Sequence, residues 1–212
     1  MTAMFLCTKL DTKQRQQAHV VCENVNKSQF LNQVEVMRYN RYVTVFAYQD
    51  ARLPRPFYSH VFAAWASEKD DKITDGFTIS WYGEKNMPGP QNGINLSLSE
   101  TYNRAIKQGL TVYRFGPYHC TEDFYQKAEK LYVDIYNKDY NVLDKFTKQD
   151  GAFNCIHAVG YASGEAVETK MLFGKEAANK LVNTFIGRNL MTSKIEESVW
   201  SKFKKYVLMP KS

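Results

Sequence analysis

The chain has 212 residues, 44% of them hydrophobic and 14% aromatic, and carries a formal net charge of +6. Such a composition excludes a disordered chain, and the length suits a single domain over 1–212 with a sizeable core. The positive charge is dispersed among Asp and Glu instead of forming a stripe, which argues against nucleic-acid binding, and no apolar run reaches the ~20 residues of a spanning helix.

Met1 to Leu10 has a short apolar patch but neither a charged lead nor a small-residue cleavage site. The reading is therefore a protein that is cytoplasmic as synthesised, with export by a signal-independent route left open. Cys7, Cys22, Cys120 and Cys155 form no C-x-x-C pair, so no zinc or other metal is expected and free thiols are. Gly83, Gly89 and Gly93 follow no phosphate-loop or dinucleotide spacing, and no cofactor is expected.

Taken in chain order, residues 11–30 are polar and suit a helix or an irregular lead-in. From Val34 to Tyr48 the β-branched and aromatic residues predict a hairpin broken at Asn40-Arg41, ended by Pro54 and Pro56. Tyr58–Ala66 and Gly76–Tyr82 read as core strands joined antiparallel through SEKDDKITD, and Gly83–Gly93 as an exposed loop on a functional rim. Val112–Phe115 predicts another strand. Thr121 caps a helix with Phe124, Ala128, Leu131 and Ile135 on one face. After a polar connection from Asp144 to Gly151, Ala152–Ala162 predicts a buried helix with Cys155 in its first turn. Two helices follow, at 174–187 and 193–207, the second opened by a Ser193/Glu196 capping box with Ile195, Val199 and Phe203 on one face. The whole is α+β, an antiparallel β-sheet packed against helices.

One constellation carries chemistry. A thiol in the first turn of a helix feels the positive end of the macrodipole and unpaired N–H groups, which favour the thiolate and can hold a developing oxyanion. Cys155 is therefore the candidate nucleophile. It needs a base, and His60, at the start of an apolar strand, is the best placed of His19, His60, His119 and His157. His119 is the alternative; His157, two residues along the same helix, does not face Cys155. A third group should orient the imidazole. With a turn near residues 72–73, His60 falls opposite Tyr82–Lys85, which favours Glu84 and keeps Ser80 as the fallback.

The order of these pieces, SHVFAAWA around His60, FTISWYG after it and YNVLDKFTKQDGAFNCIHAV around Cys155, resembles the circularly permuted papain-like, NlpC-type cysteine hydrolases and acyltransferases. The resemblance covers residues 58–163 as the core, leaving 1–57 as an N-terminal strand extension containing the hairpin and 164–212 as a C-terminal helical extension. Ser59 stands where that family has a small residue or glycine before its His, and no second His follows on the next strand. The resemblance implies attack of Cys155, with His60 as base, on an amide, ester or thioester through an acyl-enzyme. A peptide, peptidoglycan or lipid acyl substrate would suit a cell-wall amidase or a secreted effector. Two readings from other classes stay open: a non-catalytic protein gripping a protein partner through the 83–93 loop, and a viral or phage accessory protein.

Overall fold

The computed structural model describes residues 40–50, 59–83, 91–140, 154–168 and 172–208. All of them belong to the unit Asn40–Ser212, one of two into which the chain divides. The predicted α+β architecture is present. A five-stranded antiparallel sheet is built from β1 (Asn40–Gln49), β2 (Ser59–Lys69), β3 (Lys72–Ile79), β6 (Thr111–Cys120) and β8 (Met191–Ile195), in the order β3-β2-β1-β6-β8. A smaller sheet joins β4 (Trp81–Gly83), β5 (Gln91–Asn95) and β7 (Asp139–Tyr140). The helices are α1 (Leu98–Lys107), α2 (Glu122–Asp134), α3 (Cys155–Tyr161), α4 (Gly174–Gly187) and α5 (Glu197–Leu208).

The near-continuous apolar run of β2 has a simple cause: both faces of the sheet are covered. On one face Val43, Val45, Ala47, Val61, Ala63 and Trp65 pack against α2, α3 and α4 through Phe124, Leu131, Val159, Leu181 and Phe185. On the other, Phe46, Tyr48, Phe62, Ala64 and Ala66 pack against α1 and α5 through Leu98, Ala105 and Phe203. Strand side chains alternate, so the successive apolar residues from Val45 to Tyr48 and from Val61 to Ala66 are divided between the two cores.

Several boundaries differ from the sequence reading, each for a physical reason. Asn40 and Arg41 are not a turn, because both already pair in the ladder, opposite Glu68 and Ser67; residues 34–39 lie outside the described residues. β1 and β8, both outside 58–163, are strands of the main sheet, with β1 between β2 and β6. The connection between β2 and β3 shrinks to Asp70-Asp71, whose φ values of 49° and 65° make the two-residue turn that matches strand twist. The charged residues on either side stay paired, extending the hairpin past the buried core. Within the expected loop, Gln91–Gly93 are strand, paired to β4 and β7; residues 84–90 lie outside the described ones. The 193–207 helix starts later, at Glu197, because Ser193 and Ile195 are strand residues and Ile195 pairs with Tyr118 on β6. Ile195 is accordingly exposed, whereas Val199 and Phe203 are buried as expected. The helix predicted after Thr121 and the one at 174–187 are present, the first capped by Thr121 accepting from the Phe124 N–H.

Candidate functional site

His60 is the second residue of β2 and only 3% exposed. Alternation turns its imidazole to the Phe62 face, among aromatic rings: Tyr82 is stacked on it at 3.8 Å between centroids, Tyr48 lies 5.3 Å away and Phe62 5.7 Å. Its Nε2 is 3.0 Å from Ser80 Oγ. Burial drives the imidazole pKa well below its usual value, and the Arg104 guanidinium, which also lies over the Tyr82 ring, adds to the effect.

Ser80 owes its position to a break between β3 and β4. Its backbone N–H donates to Asn95 Oδ1 at 2.7 Å and its carbonyl accepts from the Leu96 N–H at 3.1 Å. Asn95 also donates to the Thr78 carbonyl at 2.8 Å, so one side-chain amide replaces the missing ladder bonds. The Ser80 hydroxyl, fully buried, contacts Thr101 Oγ1 on α1 at 2.8 Å, and Thr101 donates to the Ser97 carbonyl at 2.9 Å. Beside this chain the phenols of Tyr48 and Tyr82 share a hydrogen bond of 3.0 Å, and burial raises the pKa of both.

Cys155 is the first residue of α3. Asn154 is its N-cap, with extended φ/ψ of −88° and 175° and Oδ1 accepting from the His157 N–H at 2.8 Å. Cys155 is 8% exposed and belongs to the core on the Val61 face of the sheet. The two principal candidates thus approach the sheet from opposite faces. Tyr48 lies on the His60 side, its ring centroid 5.3 Å from the imidazole.

The remaining candidates divide clearly. Ser80, the fallback orienter, is the group bonded to His60. Glu84 lies outside the described residues, as do His19, Cys7 and Cys22. His119 stands opposite Tyr42, six residues along β1 from Tyr48 and so roughly 20 Å from the His60 end of the strand. There its Nε2 meets Asn40 Oδ1 at 3.3 Å. Cys120 is buried, which drives its thiol pKa up and makes it a core residue. The sequence reading missed Tyr48, Tyr82, Asn95 and Thr101. For Thr101 a signal existed: Ser97 and Glu100 have capping-box spacing and open α1, four residues before the relay hydroxyl.

Among the described residues no group of three or more His, Cys, Asp or Glu side chains is arranged to hold a metal ion, and no helix is long and apolar enough to cross a membrane. The chain matches no family model, no curated protein and no solved structure.

Proposed function

We propose that the chain is a cysteine-dependent hydrolase or acyltransferase of permuted papain-like type, with Cys155 as nucleophile and His60 as its base. The observation that supports this reading is the setting of Cys155. It opens α3 behind the Asn154 cap, whose Oδ1 accepts from the His157 N–H. The N–H groups of a first helical turn favour the thiolate over the thiol. On attack, the Cys155 sulfur forms a bond to the acyl carbon, the C–N or C–O bond breaks, and the leaving group takes the proton that the imidazole removed from the thiol. Water or an acceptor nucleophile then releases the acyl group. The substrate on this reading is a peptide, peptidoglycan or lipid acyl compound, reached by signal-independent export where it lies outside the producing cell.

A second reading is favoured by one specific observation. The His60 imidazole faces away from the α3 side of the sheet and its Nε2 already has a partner in Ser80. On this reading His60 is a core residue and the chain a non-catalytic binding protein.

Site-resolved iodoacetamide labelling as a function of pH, in wild type and His60→Gln, separates the two. The enzyme reading expects Cys155 to label rapidly below about pH 7, at least tenfold faster than Cys120, and to slow in the variant. Labelling of Cys155 that tracks an ordinary thiol and ignores His60 would leave the binding protein.

A further inference from the structure

The hydroxyl chain behind His60 permits a proton count. Its three links are His60 Nε2 to Ser80 Oγ at 3.0 Å, Ser80 Oγ to Thr101 Oγ1 at 2.8 Å, and Thr101 Oγ1 to the Ser97 carbonyl at 2.9 Å. A carbonyl oxygen has lone pairs and no proton, so the last link is made by the Thr101 hydroxyl proton. Thr101 then has nothing left to donate, and the middle link uses the proton of Ser80. With that proton committed, the first link needs one on Nε2.

Only this polarity makes all three contacts hydrogen bonds. The reverse arrangement, Ser80 donating to Nε2 and Thr101 donating to Ser80, gives up the bond to the Ser97 carbonyl. Ser80 and Thr101 are 0% exposed and His60 3%, so among the described residues these three groups have only one another to bond, while the Ser97 carbonyl keeps the Thr101 N–H at 3.0 Å. The reverse arrangement is therefore one hydrogen bond poorer, and that bond sets the preference.

We propose that Ser80 and Thr101 are positioning residues that hold His60 as its Nε2–H tautomer, leaving Nδ1 the ring nitrogen that accepts a proton. The setting agrees with a neutral ring. The side chains around it are Tyr48, Phe62, Ser80 and Tyr82, and the charge that acts on it is the Arg104 cation. The catalytic consequence rests on the thiol reading: Nδ1 is then the atom that receives the Cys155 proton. The tautomer itself stands or falls without Cys155.

Long-range ¹H–¹⁵N correlation spectra of the uniformly ¹⁵N-labelled full chain at pH 7 report imidazole tautomers directly, and His60→Gln identifies the His60 signals. Wild type should show Nε2 protonated and Nδ1 bare. Thr101→Val keeps the side-chain shape but removes the acceptor for the Ser80 proton, which then turns to Nε2. In this variant His60 should change to the Nδ1–H form, and Cys155 labelling should slow as much as in His60→Gln. Thr101→Ser should restore both. An Nδ1–H or imidazolium ring in wild type would overturn the proposal, and so would a Thr101→Val spectrum with the wild-type tautomer. The wild-type spectrum decides even where the variant does not fold. A correct tautomer together with Cys155 labelling indifferent to His60 would remove the thiol reading and leave the relay in place.

Discussion

His60 and Tyr82 lie ring on ring, centroids 3.8 Å apart and planes 14° from parallel, at the end of the sheet where β3 gives way to β4. An imidazole so enclosed, with no carboxylate among its partners in the described residues, resists protonation. The unfolded chain has no such enclosure, and there the ring titrates near 6.5. As pH falls below that value, the unfolded state gains a proton that the folded state does not, so stability drops. For one such group the unfolding constant rises about tenfold per pH unit until the folded pKa is reached. Urea denaturation between pH 7 and pH 5 should show the midpoint falling in wild type, with a distinctly smaller fall in His60→Gln. Equal slopes in the two proteins would show that His60 titrates alike in both states.

The phenol pair beside that stack sets a second expectation. Tyr48 and Tyr82 share one hydrogen bond of 3.0 Å between buried hydroxyls. Tyr82→Phe keeps the ring on His60 and strands the Tyr48 hydroxyl, at a cost of about 1–2 kcal/mol. Replacing both tyrosines by Phe removes donor and acceptor together. The double variant should therefore lose less than the sum of the singles, which a double-mutant cycle from urea midpoints measures.

Gly93 illustrates a glycine with a packing role. A Cβ built on it would stand 1.8 Å from Cζ2 of Trp81, whose indole is completely buried. Gly93→Ala should cost about 1–3 kcal/mol as an overpacked site. Trp81→Phe in the same chain shortens the ring at the point of conflict and should recover part of the loss. A Gly93→Ala protein with the wild-type urea midpoint would show that the ring yields freely.

What was legible in the sequence follows from where the signals are local. α2 was readable because its cap, Thr121, and its buried stripe, Phe124, Ala128 and Leu131, continued by Ile135 just past its end, are written within one segment. The Ser193/Glu196 pattern satisfied the same local rule and misled, because pairing of Ile195 with Tyr118 depends on residues far away in the chain. The His60 environment was half legible. A turn taken two residues too late still brought Tyr82 into the window opposite His60, and Ser80 was named as fallback. The helix that carries Thr101 had its local signal in Ser97 and Glu100, but the contact of Thr101 with Ser80 was out of reach, since it depends on how α1 packs against the sheet.

α1 itself offers the last test. Ser97 caps the helix: its Oγ accepts from the Glu100 N–H at 3.3 Å, and Glu100 Oε2 accepts from the Ser97 N–H at 2.8 Å. The Ser97 hydroxyl, which donates to Glu100 Oε2 at 2.6 Å, and then the Ser97 N–H hold the Glu100 pKa below its usual value, so this carboxylate stabilises the fold above about pH 4.5 and loses that contribution as pH falls through its lowered folded pKa. Ser97→Ala removes the side-chain half of the box and should cost about 1 kcal/mol at pH 7. Because the relay ends on the Ser97 carbonyl, which alanine retains, the His60 tautomer should be unchanged in this variant. Loss of stability with an intact Nε2–H signal would separate what the cap does for the helix from what the carbonyl does for His60. A tautomer change in Ser97→Ala would mean that the position of Thr101 depends on the cap.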